Sequence, residues 1–402
     1  TKSEGGPGFS AADDPTASHR FGFATLLKGG VTTFVQLDGG PMDDGATILR
    51  VVEDSGMRLY YSPVYSGGSY SFDANGTLVS SRDEALGIEG LKSAAKFIER
   101  NDGSFGGRLR GILVLDELFN ASPRLLAETK SVARTLGTRI TLHASEQLFE
   151  FHDILRRTGK TPVGWMEAEG FLGEDVILGH CVYVSGHSFT GYPFAGDLEI
   201  LAGSGSCVAH APVALSRRGV ALESFQRYLD QGVKLSIGTD SYPLDIIGEM
   251  RAASIICKIV DANNEAAQAR DVFNAATIGG ADALGRSDLG RICKGAKADF
   301  TIIDMDSLDI GPVKDPIRAL IHSGSRDLVD TVIVDGKTLM EGGKLRMWNE
   351  RDVLSAARAG TERVWKNFEK YHWSGKSVEK IFPESFDNWE EWRRSPPLSR
   401  QK

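Results

Sequence analysis

From about residue 20 the sequence alternates short apolar, β-branched runs with longer stretches whose apolar residues recur at helical spacing. That alternation predicts a parallel sheet with crossover helices, an α/β architecture. The strand-like runs are 32–37, 58–63, 109–115, 139–143, 176–180, 206–210 and 234–240. Helical segments follow them, for example 123–136 and 222–231, and one more, 17–27, precedes the first run. Ser122 suits a helix N-cap and Pro123 the first helical position. This gives seven strands with a helix ahead of the first. A closed (β/α)₈ TIM-like barrel needs eight, and open parallel edges are avoided. The expectation is a barrel over residues 19–288 holding strands 2 to 8, its first strand missing from this chain. An open doubly wound sheet is the bland alternative.

Beyond the barrel the pattern changes. Residues 271–284 read as a helix with alanine at close intervals. Residues 290–304 and 329–344 read as short strands with glycine turns, where Asp335-Gly336 and Gly342-Gly343 signal hairpins. The reading is a small β-sandwich domain over 289–346, whose N-terminal strands are also missing. Residues 347–402 read as a helical, aromatic-rich tail with Trp348, Trp365, Trp373, Trp389 and Trp392, more often anchors than a ligand box. Residues 1–18 read as a flexible segment: they begin at Thr1, are rich in Gly, Ser, Pro and Asp, and lack the basic start and apolar core of a signal peptide.

Composition narrows the function classes. At 402 residues the chain exceeds the roughly 250 of a single barrel, which fits a barrel plus appended elements. A formal net charge of -8 and no long Lys/Arg run exclude a nucleic-acid surface of the usual kind. No run of about 18 apolar residues exists to span a membrane. Cys181, Cys207, Cys257 and Cys293 are scattered, which suits a reducing compartment, hence a cytoplasmic location, and argues against a Cys-rich zinc site.

The chemistry sits at strand ends. In a barrel enzyme, catalytic groups project from the C-terminal ends of the strands. Four consecutive predicted strands end in His143, His180, His210 and Asp240. A lone buried histidine is usually a core residue with a satisfied ring. Several polar groups converging on one rim are costly to bury unless a divalent cation satisfies them. Imidazoles with one carboxylate suit zinc, or iron, cobalt or manganese. Such an ion makes hydroxide available near neutral pH. Glu146 follows His143 by three residues and can shuttle protons beside the ion; its bland reading is a carboxylate at a helix start. His19, His152, His187, His322 and His372 lie outside this pattern, although His187, in a polar loop, could reach substrate.

These residues bring a family into view. The chain resembles the amidohydrolase superfamily, in the branch of cytosine, guanine and adenosine-derivative deaminases and s-triazine hydrolases. The matching segments include LKGGVTTFVQL (27–37), HASE (143–146), GHCVYV (179–184), VAHAP (208–212), GVKLSIGTDS (232–241), EMRA (249–252) and AATIGGADAL (275–284), and the likeness runs from about residue 20 to 346. The resemblance implies one divalent metal, zinc by preference, held by His143 and Asp240 together with an H-x-H pair. It implies Glu146 as general acid/base, His180 holding water or substrate beside the metal, and His210 lining the substrate pocket. The implied reaction is attack by metal-bound hydroxide on a carbon bearing an amine, amide, carbamate or halide leaving group, on an N-heterocycle or related small molecule. Two features depart from the pattern: no H-x-H occurs in the 402 residues, and Ser145 stands where the family has alanine. No lysine lies on the 109–115 strand, which favours one metal over two. The expectation is therefore an N-terminal fragment or second chain supplying H-x-H, within a homo-oligomer. The rival reading is a non-catalytic scaffold with an incomplete metal site.

Overall fold

The computed structural model describes residues 15–37, 45–73, 75–372, 374–383 and 385. Most of the expected N-terminal segment (1–14) and Trp373, Trp389 and Trp392 of the tail lie outside the described residues.

The alternating runs form the expected parallel strands. They are β1 (Thr33–Val35), β2 (Arg58–Tyr61), β5 (Leu109–Gly111), β6 (Leu113–Glu117), β7 (Ile140–Ala144), β8 (Val176–His180), β9 (Cys207–His210) and β10 (Lys234–Ile237). The sheet orders are β1-β2-β5 and β10-β9-β8-β7-β6, all parallel. The predicted run 109–115 is split at Ile112: β5 pairs with β2 and β6 pairs with β7. One stretch of chain thus bends from one sheet to the other, and Tyr65 bridges to Leu115 across the break. Strand neighbours follow chain order, as right-handed crossovers dictate. Leu59, Leu115, Leu142 and Leu178 of β2, β6, β7 and β8 join the helices in a large apolar cluster, while Tyr60, Val114, Ile177 and Cys207, on the opposite faces, form a second, smaller one.

Local signals explain the helices. Ser122 Oγ accepts the Leu125 N–H at 3.1 Å and Pro123 opens the helix Pro123–Leu136, which stops at Gly137 with φ +61°. The first helix runs Pro15–Lys28. The stretch 271–284 is helical with one π turn at Ala275–Gly279. There Gly279 lies so close to β10 that a Cβ would meet the Leu235 carbonyl oxygen at 2.3 Å, so only glycine admits this packing.

Two departures stand out. An antiparallel hairpin, β3 (Gly68–Phe72) and β4 (Leu78–Arg82), is inserted between β2 and the next helix, Glu84–Asn101. Its mixed Ser/Tyr/Ser/Phe sequence carries little apolar patterning. The region 290–304 contributes a single strand, β11 (Phe300–Ile303), because 290–297 is taken up by turns. β11 joins β12 (Val329–Val334), β13 (Lys337–Glu341) and β14 (Lys344–Leu345) in one antiparallel sheet of order β11-β12-β13-β14. Asp335 and Gly336, at φ +52° and +79°, make the tight β12–β13 turn. The tail begins with the helix Glu350–Lys366, capped by Asn349.

A buried ion pair ties this sheet to the barrel. Arg58 opens β2 at 1% exposure; its Nε donates to Asp299 Oδ2 at 2.7 Å and its Nη2 lies 2.9 Å from Asp335 Oδ1. Burial disfavours the charge on Arg58, but the two carboxylates more than restore it and raise its pKa. Removing one partner leaves the other charge buried and uncompensated. Arg58→Ala should therefore destabilise the protein by about 3–5 kcal/mol, read as a lower midpoint in urea unfolding, while Asp304→Asn, near the same sheet, should change little.

Candidate metal centre

Three of the four predicted strand-end residues meet. One nitrogen each from His143 and His180 and one carboxylate oxygen of Asp240 all lie within 4.8 Å of one another. This is the one such His/Cys/Asp/Glu group among the described residues. His210 ends β9 on the same rim but stays outside the group.

The backbone explains how they converge. His143 is in register with Glu117 on one side and Gly179 on the other, so these three share a face of the sheet. His180 is one residue further along, where the pleat would turn it to the opposite face. Its φ of +69° takes it out of strand geometry and brings its ring against His143, at 5.5 Å and 15° between planes. Asp240 (φ +55°) and Ser145 (φ +51°) are likewise left-handed. Each such non-glycine residue costs on the order of 1 kcal/mol or more, and this kind of strain concentrates at functional sites. At Gly179 a Cβ would sit 3.2 Å from the Leu142 carbonyl oxygen, a tight approach beside the stacked rings.

The rings are oriented. His143 Nδ1 lies 2.5 Å from the Asp116 carbonyl oxygen. A carbonyl only accepts, so Nδ1 carries the proton and Nε2 keeps its lone pair for a cation. Asp116 is the extra residue of a β-bulge in β6, which turns its carbonyl toward the neighbouring strand. His180 is 3% exposed, and its Nδ1 has no hydrogen-bond partner among the described residues. The buried His180 ring, with a second imidazole and a carboxylate in reach, fits a borderline divalent ion.

Glu146 stands beside the group, its Oε2 3.9 Å from His180 Nε2 and its Oε1 accepting from Arg218 Nη1 at 2.7 Å. Burial alone would raise its pKa, but His180, His143 and Arg218 bring it down to about 2. The loop carrying it is laced in place. The Glu150 carboxylate accepts the N–H groups of Ser145 and Glu146, both at 3.0 Å, and burial pushes Glu150 up to about 8. The Ser145 carbonyl accepts from Val182 (3.0 Å) and Tyr183 (2.9 Å), tying the HASE loop to the GHCVYV loop. His210 is 4% exposed, and burial, with His180 nearby, lowers its pKa to about 3, so its ring is neutral.

Sequence reading missed Glu150 and Arg218. Glu150 carries a readable signal, the capping box Gln147-x-x-Glu150. Arg218 has none, because it reaches Glu146 from 72 residues away. His187 is engaged within its own loop, with Nε2 3.2 Å from the Ala221 carbonyl and Nδ1 3.8 Å from Glu223. The cysteines are free, three buried and Cys293 exposed, and no helix among the described residues is long and apolar enough to cross a membrane.

Comparison with known proteins bears on this geometry. The chain is 30% identical over 343 residues to 5'-deoxyadenosine deaminase of Methanosarcina mazei, covering 84% of this chain and 73% of that protein. It is 33% identical over 323 residues to 5-methylthioadenosine/S-adenosylhomocysteine deaminase of Thermococcus onnurineus, covering 79% and 70%. Among solved structures it superimposes on a zinc-bound adenosine deaminase from Xanthomonas campestris, with TM-score 0.76, 20% identity, and 89% and 77% of the chains covered. It also superimposes on the zinc complex of the atrazine chlorohydrolase TrzN from Arthrobacter aurescens TC1, with TM-score 0.71, 23% identity, and 86% and 77% covered. These likenesses show a TIM-like barrel. A family model described as the amidohydrolase family matches residues 16–339, a span that takes in every barrel strand and the whole metal centre. The chain belongs to the amidohydrolase family.

Proposed function

We propose that this hydrolase is a metal-dependent deaminase of an N-heterocycle, with nucleosides of the 5′-deoxyadenosine type as the first substrates to test. The grouping of His143, His180 and Asp240 within 4.8 Å, with Glu146 beside it, carries the reading. The curated relatives, deaminases of adenosine derivatives by name, support it. They favour the hydrolase over a non-catalytic scaffold.

His143 and Asp240 would hold one divalent ion, zinc by preference, and His180 would hold water or substrate beside it or complete the set. Such an ion, when bound, lowers the pKa of water to roughly 7 and polarises the carbon–nitrogen bond. Glu146 would take the first proton that water loses and deliver it to the ring nitrogen, then carry the second, from the added hydroxyl, to the leaving amine. A C–O bond forms, the C–N bond breaks, and ammonia departs. Arg218 holds Glu146 ionised and aimed until substrate arrives. His210, neutral and buried, lines the pocket wall.

The same reading completes the barrel. The row of parallel strands has β1 at one end and β10 at the other. An eighth strand between them, from an N-terminal fragment or second chain, would close the cylinder and bring an H-x-H pair to the ion. Its flanking strands would give the antiparallel sheet a second layer, making 289–346 a β-sandwich beside the barrel 19–288 and the tail 347–402. The free cysteines suit a cytoplasmic enzyme, and a homo-oligomer is part of the proposal.

Natively purified protein should hold about one divalent ion per chain, and His143→Ala or Asp240→Ala should remove most of it; retention in both variants would displace them as ligands. Glu146→Gln should keep the ion yet slow ammonia release from 5′-deoxyadenosine or 5-methylthioadenosine by roughly 10²–10⁴-fold. Undiminished turnover in that variant would refute the assigned role.

A further inference from the structure

Strand β8 ends in two consecutive left-handed residues that are not glycine, His180 at φ +69° and Cys181 at φ +46°. A side chain disfavours this backbone at each position, so two in succession persist only where surrounding contacts impose them. Hydrogen bonds impose them from two sides. On the N–H side the neighbouring strand end does the holding. Cys181 donates to the Ala144 carbonyl at 2.9 Å, and Val182 and Tyr183 donate to the Ser145 carbonyl at 3.0 and 2.9 Å. On the carbonyl side the holder comes from 47 residues away: the Tyr228 hydroxyl donates to the Cys181 carbonyl oxygen at 2.7 Å.

The short helix Phe225–Asp230, between β9 and β10, delivers that hydroxyl. Ser224 caps the helix, its Oγ accepting the Arg227 N–H at 2.9 Å. Phe225 and Tyr228, three residues apart, are its buried face at 1% and 0% exposure. Burial pushes the phenol well above its ordinary range, so it stays a neutral donor.

The two histidines of the metal group are held differently. His143 is held at its own ring, by the Asp116 carbonyl. His180 Nδ1 has no hydrogen-bond partner among the described residues. The direction of the His180 ring therefore comes from its backbone and from stacking on His143 at 5.5 Å. Imidazoles at metal sites are commonly oriented by a partner on their second ring nitrogen. Here the left-handed turn takes that part, and Tyr228 closes the turn. We infer that Tyr228 is the positioning residue of His180: its hydroxyl holds the Cys181 carbonyl and so keeps the His180 ring turned toward His143 and Asp240. This rests on the reading that places His180 at the ion, and it adds a residue that acts through the backbone without contact to the ion.

Tyr228→Phe removes the hydroxyl and keeps the ring. Tyr65→Phe is the matched control, because Tyr65 is also 0% exposed and its hydroxyl lies 3.0 Å from Thr129 Oγ1, on the helix Pro123–Leu136. The readouts, on natively purified full chain stripped of metal and reloaded, are zinc affinity against a competing chelator and the visible spectrum of the cobalt-substituted protein. Tyr228→Phe should weaken zinc about tenfold or more and move the cobalt bands toward those of His180→Ala. Added to His180→Ala it should change neither readout further. Tyr65→Phe should change neither. Unaltered zinc affinity and cobalt bands in Tyr228→Phe, while His180→Ala alters both, would overturn the inference and leave His180 at the ion. An equal loss in Tyr65→Phe, or an equal further loss on top of His180→Ala, would show general loosening and would also overturn it. No effect of His180→Ala on either readout would remove His180 from the ion and overturn the inference together with that assignment.

Discussion

Buried polar atoms must find partners, and the mouth of this barrel gathers more of them than the protein alone satisfies. Two imidazoles and a carboxylate converge within 4.8 Å, and one ring nitrogen of His180 is left without a partner among the described residues. Leaving that buried nitrogen unpaired costs on the order of 1–3 kcal/mol, while the Asp240 carboxylate is exposed. The backbone adds strain, since Ser145, His180 and Asp240 all take left-handed conformations. A fold selected for stability alone would have relaxed both costs. A divalent cation bound by the group would offset the cost of the strained approach.

What holds the centre is a second ring of contacts. The Asp116 carbonyl fixes the His143 tautomer, Glu150 gathers the N–H groups of the loop that carries Glu146, and Arg218 holds the Glu146 carboxylate. The Ser145 carbonyl receives two N–H groups from the next strand's loop, so Glu146 and His180 cannot drift apart independently. Precision of a few tenths of an ångström is what such supporting shells provide in catalytic sites. Farther out, the Arg58–Asp299–Asp335 cluster fastens the antiparallel sheet to the start of β2, well away from the chemistry.

Much of this is legible in the chain because its signals are local. Apolar, β-branched runs fall where the strands fall, and Ser122-Pro123 starts a helix where capping chemistry says it should. His143, Asp240, His180 and Glu146 are readable because strand-end position is a local property that the barrel converts into convergence. The split of 109–117 into two strands is not readable, because it depends on which neighbour each half pairs with. The hairpin β3–β4 escapes because its Ser-rich, half-exposed strands lack an apolar stripe. Arg218 and Tyr228 escape because their partners are brought to them only by tertiary folding. The family resemblance sets His143 and Asp240 apart as ligands and puts His180 next to them; the structure groups all three.

The central claim is that one ion organises the mouth of the barrel. Anomalous diffraction at the zinc edge, from crystals of the natively purified protein, tests it most directly. A single strong peak should lie about 2.0–2.2 Å from His143 Nε2 and from an Asp240 carboxylate oxygen, with Glu146 outside bonding distance. A peak elsewhere, or no peak with the His143 and His180 rings still stacked and the backbone unchanged, would contradict it.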